Sequence, residues 1–179
     1  MSGHSHWAGI KHQKGIADQK RGRVFAKLLA AVAAAARGEP NPEFNPRLRA
    51  AIEKAREHMV PAENIARAIA RASEPGQSVE ELTLEAYGPG GAAILIQAAT
   101  NNKNRTIAEV KKIVSDNHGK WAEPGSVRWA FAPAQPGGER RAKFPQPLGA
   151  KDLVRLRALV GALLSHDDVQ KVFTSAARP

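Results

Sequence analysis

Apolar positions along the 179-residue chain change period partway, and the change divides it into parts. From Val24, the residues Phe25, Leu28, Leu29 and Val32 follow i, i+3, i+4, i+7 spacing. That spacing puts them on one face of a helix, which Gly38 stops. Asn45 and Pro46 supply an N-cap and a first-turn proline for a second helix with the stripe Leu48, Ile52, Ala55 and Met59. Pro61 opens a third, with Ile65, Ala68, Ile69 and Ala72 facing inward and Pro75-Gly76 at its end. Three amphipathic helices with short connections predict a three-helix bundle over residues 24–76.

Beyond it the spacing shortens to two. Leu82, Leu84 and Ala86 alternate with Thr83, Glu85 and Tyr87, the pattern of a strand with one buried face. Gly88 to Gly91 reads as a turn, and Ala92 to Ala99 as a continuous apolar strand. Thr106 with Glu109 forms a capping box opening a helix with the stripe Ile107, Val110 and Val114, which Asn117 to Gly119 ends. Val127, Trp129 and Phe131 alternate as a third strand, and residues 132–147, rich in proline and glycine, read as a linker. A helix striped by Leu153, Leu156, Leu159, Val160, Leu163 and Leu164 follows, then a short strand from Val169 to Thr174. The order ββαβαβ predicts an α+β sandwich over 80–131 plus 148–175, an antiparallel or mixed sheet with two helices on one face. The fold class is α+β.

Residues 1–23 offer no apolar stripe, and Gly3, Gly9, Gly15 and Gly22 interrupt any helical pattern. A segment that buries nothing does not offset its own ordering entropy, so a flexible basic arm is expected before the bundle. It carries Lys11, Lys14, Lys20, Arg21 and Arg23 against Asp18 alone. The whole chain has a formal charge of +10 and a pI near 10.3, which favours a polyanionic partner because Lys and Arg release counterions from phosphates. The chain contains no cysteine, which excludes disulfides, zinc fingers, iron–sulfur clusters and thiol catalysis and fits a cytoplasmic protein. No run approaches the ~20 apolar residues needed to cross a bilayer, so no membrane partner is expected. Lys20 to Arg23 followed by Leu28 to Ala36 has the wrong flanks for a signal peptide.

Enzymatic motifs fail in turn. Gly88-Pro89-Gly90-Gly91 lacks dinucleotide spacing and precedes a strand, and no glycine loop leads into a Lys-Ser or Lys-Thr pair. His166-Asp167-Asp168 reads as a cap and a solvated turn. With Met1 removed, Ser2-Gly3-His4 could chelate Cu(II) or Ni(II), but chance matches to that motif are frequent. No metal site and no cofactor is expected. The informative residues are those suited to nucleic acid. In the arm, Lys11, Lys14, Lys20, Arg21 and Arg23, with Lys27 just beyond, suit phosphates, and His4, His6, Trp7 and His12 can stack on unpaired bases. Asn101, Asn102, Lys103 and Arg105 precede a helix, where backbone donors and two cations could hold a phosphate, or could form a plain polar loop.

Four blocks and a terminal segment then resemble the YebC/PmpR family: GHSHWAGIKHQKGIADQKRGRVFAKL, NPRLRAAIEKA (Asn45 to Ala55), YGPGGAAILIQAATNNKNRT (Tyr87 to Thr106), GSVRWAF (Gly125 to Phe131) and HDDVQKVF (His166 to Phe173). His6 stands where that family usually has lysine, and Gln13 where arginine is usual. The family inserts a further, typically acidic domain after the strand matching Val127 to Phe131, where this chain has only its Pro/Gly linker. The chain is expected to be a non-enzymatic monomer, and the resemblance implies one of two roles. The first is a ribosome-associated translation factor that contacts large-subunit RNA or tRNA and helps peptide-bond formation on proline-rich nascent chains. The second is a transcriptional regulator that binds duplex DNA. A flexible basic arm favours the ribosome; basic residues on a rigid helix face would favour DNA.

Overall fold

A computed structural model of the chain describes residues 3–72, 74, 79–133 and 140–177, with side chains from Asp18 onward. The expected helix stop at Pro75-Gly76 and the centre of the linker lie outside these residues. The first helix, α1, runs from Gly3 to Ala36, 34 residues and so about 50 Å at 1.5 Å per residue. Its start at Gly3 corrects the expectation of an irregular arm over 1–23 with helix only from Val24. The apolar stripe marks where α1 packs, not where it begins. Leu28 and Val32 are buried, whereas every residue from Asp18 to Val24 is exposed. Periodicity reports burial, so a helical segment clear of the core leaves no stripe to read.

Helices α2 (Pro46–Glu57) and α3 (Ala62–Arg71) close the bundle against the C-terminal half of α1. Asn45 is the hinge of the corner. Its Oδ1 accepts the Leu48 N–H at 3.0 Å, capping α2, while its Nδ2 donates to Ala35 O at 2.7 Å and Glu39 O at 2.8 Å, closing the end of α1. Leu48, Ile52, Ala55, Val60 and Ile65 meet Leu28, Val32 and Ala36 in one apolar cluster. Met59, expected on that stripe, is instead 85% exposed with φ 58°, because it lies past the end of α2 in the turn toward α3.

The second unit is a four-stranded antiparallel sheet of β1 (Glu80–Tyr87), β2 (Ala93–Thr100), β3 (Lys120–Ala122) and β4 (Val169–Thr174), in the order β3-β1-β2-β4. Helices α4 (Lys103–Asp116) and α5 (Ala150–Leu164) cover one face. There Leu82, Leu84, Ala86, Ile94, Ile96 and Ala98 pack against Val110, Val114, Leu156, Leu159 and Leu163. The β1–β2 turn fits closely: a Cβ at Gly88 would lie 2.8 Å from side chains of both Ile94 and Leu156, and Gly90 and Gly91 have φ of 71° and 76°.

The third strand is not where alternation put it. Strand β3 is Lys120–Ala122, and residues 127–131 form a loop with a 3₁₀ turn at Arg128–Ala130 lying over the other face of the sheet. Val127, Ala130 and Phe131 pack there on Ala93, Leu95 and Ala122. The linker's described flanks meet. Phe131 bridges Ala142 antiparallel, Ala132 N–H donates to Arg141 O and Lys143 N–H to Ala130 O, both at 2.8 Å.

Candidate nucleic-acid interface

The exposed shaft of α1 carries Lys20, Arg21 and Arg23, all solvent-facing, with Asp18 as the single acid of the stretch 18–24. His4, His6, Trp7, Lys11, His12 and Lys14 lie on the preceding turns of the same helix; their side chains lie outside the described residues. The cations therefore stand on a helix, at backbone positions set by its geometry, instead of on an extended strand.

Lys27 has a different job. It is half-buried, and its Nζ donates to Leu164 O at 2.6 Å and to Val169 O at 2.9 Å, tying α1 to the turn between α5 and β4. Burial pulls its pKa below the ordinary lysine value, Asp167 and Asp168 pull the other way, and nearby Arg23 adds to the lowering. Its ammonium is occupied inside the protein, a correction to its assignment as a phosphate contact. No local pattern marks it: Lys27 lies away from the Phe25–Leu28–Val32 stripe, and its partners are 137 and 142 positions along the chain.

The second predicted cluster is also largely structural. Helix α4 starts at Lys103, capped by Asn102, whose Oδ1 accepts the Arg105 N–H at 3.1 Å. The expected capping residue, Thr106, is instead inside the helix and buried. Its hydroxyl donates to Asp168 Oδ2 at 2.7 Å and lies 2.9 Å from Thr100 Oγ1. Arg105 pairs with the same Asp168 oxygen at 2.7 Å. Burial alone would push the Asp168 carboxyl up, but hydrogen bonds from Thr106 and Arg105 and the Arg105 charge outweigh it and hold the carboxyl below its usual range. Asp168 in turn raises Arg105. Asn101 and Lys103 remain exposed.

Glu109, His166 and Asp168 also converge, with His166 Nε2 2.8 Å from Glu109 Oε2. Three such ligand types could hold a cation, yet Arg105 and Thr106 both donate to Asp168 Oδ2 and His166 pairs with Glu109, so these groups already satisfy one another as a hydrogen-bonded turn. Through this turn the two predicted clusters meet. Asp167 and Asp168 act electrostatically on both Lys27 and Arg105, which places the base of the α1 shaft beside the start of α4.

The molecule is thus an α+β protein with a long helix, α1, that carries exposed cations at 20, 21 and 23. Residues 5–75 match the family model described as the TACO1/YebC protein N-terminal domain, and residues 79–134 match the TACO1/YebC second and third domain. The chain belongs to the TACO1/YebC family. It is 52% identical over 134 residues to a "Probable transcriptional regulatory protein" of Dictyoglomus turgidum, covering 73% of this chain and 54% of that one. A protein of the same name from Solibacter usitatus is 46% identical over 151 residues, covering 83% and 58%. The chain therefore spans little more than half the length of the curated relatives it matches. The fold is similar to the crystal structure of a conserved hypothetical protein from Aquifex aeolicus, with TM-score 0.82 and 28% identity over 90% of this chain and 92% of that one. Among the described residues, no helix is long and apolar enough to cross a membrane.

Proposed function

We propose that the chain is a non-enzymatic, cytoplasmic, nucleic-acid-binding regulator of gene expression that contacts its target through α1. The observation that carries this reading is the exposed cationic shaft. Lys20, Arg21 and Arg23 project from a helix whose residues 18–24 are all exposed, and Lys11 and Lys14 lie on the turns before them. An α-helix is of a width that the major groove of duplex DNA admits, and its cations would neutralise flanking phosphates. Basic residues on a helix, together with relatives named as transcriptional regulators, favour duplex DNA as the target.

A second reading, a monomeric translation factor on ribosomal RNA or tRNA, is supported by a separate feature: an exposed aromatic pair beside three cations on the sheet unit, suited to unpaired bases.

Competition decides between them. Labelled duplex DNA, purified large ribosomal subunits and the protein are mixed at physiological salt, and each complex is quantified. Under the first reading duplex DNA wins, and replacing Lys20, Arg21 and Arg23 by alanine lowers the log–log salt slope by roughly 0.9 per lost phosphate contact. Co-sedimentation with large subunits that duplex DNA does not reverse would make the second reading correct. Unchanged affinity of the triple variant for both targets would remove α1 from the interface.

A further inference from the structure

The loop over the open face of the sheet is built with care for something that stays outside. Glu85 sits in central strand β1, only 4% exposed, and its carboxylate accepts N–H groups from Gly125 at 2.7 Å, Val127 at 2.7 Å and Arg128 at 3.1 Å. A buried carboxylate that takes three backbone donors fixes a loop firmly, because releasing it would strand a charge. What the fixed loop displays is Trp129, 63% exposed. Its indole Nε1 donates to Ser126 O at 2.8 Å, so the ring is held by its edge while most of it stays exposed. Phe144, 64% exposed, lies 6.1 Å away across the paired flanks of the linker. Exposed aromatics that adjoin one another mark a contact surface.

The surroundings of this pair are cationic. Arg128, Arg140 and Lys143 line the same groove as Trp129 and Phe131. Among the described residues none of the three is in an ion pair, whereas Arg37, Arg47, Arg67, Arg105 and Lys112 all are. Arg140 Nε is moreover buried with no acceptor among the described residues. An apolar protein partner would leave those charges desolvated and unmatched. A second copy of this chain would bring the same three cations against themselves across a two-fold contact. A single strand of nucleic acid matches both features, phosphates to the cations and unpaired bases to the rings.

We propose that the groove lined by Arg128, Trp129, Arg140 and Lys143, with Phe144 beside Trp129, binds unpaired nucleotides, with a base stacked on Trp129 and the backbone following the three cations. The proposal rests on the nucleic-acid reading above and adds a second contact surface, on a different unit from α1. The two surfaces have different preferences: the shaft takes any phosphate backbone, and the groove requires unpaired bases.

The test uses the full chain and fluorescein-labelled twelve-nucleotide probes: oligouridylate, oligoadenylate, single-stranded DNA and a duplex of equal length. Trp129→Ala is expected to weaken single-strand binding about tenfold with the salt slope unchanged, while Trp129→Phe restores most of it. Arg128→Ala with Lys143→Ala should lower the single-strand slope by roughly 0.7 per lost contact and leave duplex binding nearly unaltered. The melting temperature of each variant reports that the loop still folds. Equal affinity of Trp129→Ala and the parent for every single strand overturns the groove, and leaves the regulator reading intact if the α1 triple variant still loses binding. Failure of the parent to bind any probe sinks both. Concentration-dependent dimerisation abolished by Trp129→Ala, with oligonucleotide binding unaltered, would assign the groove to a contact between copies instead.

Discussion

On one face of the sheet, α4 and α5 lay Val110, Val114, Leu156, Leu159 and Leu163 over Leu82, Leu84, Ile94 and Ile96. On the other, residues 123–131 lie across Ala93, Leu95 and Ala122, held by the Glu85 carboxylate as well as by Val127 and Phe131. The first covering is non-directional: apolar area leaves water, and many side chains share the gain. The second is directional, with three N–H groups aimed at two oxygens. A non-directional cover can be broad and tolerant, whereas a directional one sets a short loop in a single conformation. The surface that needs an exact side-chain display, with Trp129 and Arg128 outward, is therefore the directional one.

The largest expected effect breaks the helix-covered face. Leu159 is fully buried between α5 and the sheet, and Leu159→Ala should cost about 3 kcal/mol, the lost transfer energy plus an unfilled cavity. Urea denaturation should show a lower midpoint with an unchanged slope. A loss under about 1 kcal/mol would mean that α5 is not the main cover of this face.

A smaller, more local loss is expected on the other side. Glu85→Gln replaces one accepting oxygen with an NH₂ group that faces backbone donors, at a cost of about 2 kcal/mol. Its signature should be spatial. Amide exchange should accelerate at Gly125, Val127 and Arg128, and Trp129 emission should shift in a background with Trp7 and Trp121 changed to phenylalanine. Should Glu85→Leu prove as stable as the parent with exchange unaltered, the loop is held by its apolar contacts and the contrast between the faces fails.

These same contrasts explain what was legible in the chain. The ββαβαβ order, the Asn45-Pro46 cap and the inward stripes of both units could be read because each writes a period or a cap residue into the sequence. Periodicity misplaced β3 because Val127, Ala130 and Phe131 are buried by a loop, whose inward positions follow hydrogen bonds and not a repeat. The stretch of α1 just before its stripe was invisible for the opposite reason, as Asp18 to Val24 are all exposed. Among candidate site residues, the exposed cations Lys20, Arg21, Arg23 and Lys103 could be identified as exposed cations from their type alone. Lys27 and Arg105 could not be excluded from sequence, because their partners are 137 or 142 and 63 positions away. Glu85 left one trace: a carboxylate on a strand whose neighbours are apolar.

The smallest effect tests the polar clasp at the rim of the helix-covered face, where Asp168 joins β4 to α4 through Thr106 and Arg105. Asp168→Asn keeps the shape and removes the charge. At neutral pH it should cost about 1–2 kcal/mol, the scale of a hydrogen bond to a charged group in a partly exposed setting. The pH dependence follows from the direction of the shift. Because folding lowers the Asp168 pKa, its contribution is fully present above the unfolded carboxylate value of about 3.9 and is lost as pH falls through the lower folded value. The stability gap between parent and Asp168→Asn should therefore be constant from pH 7 down to about 5, then narrow as acid protonates the carboxyl. Leu159→Ala supplies the comparison, since a cavity does not titrate and its gap should stay level over the same range. A gap for Asp168→Asn that is equally level into acid would show that the clasp works by shape and neutral hydrogen bonding, and this rim would then belong to the non-directional cover.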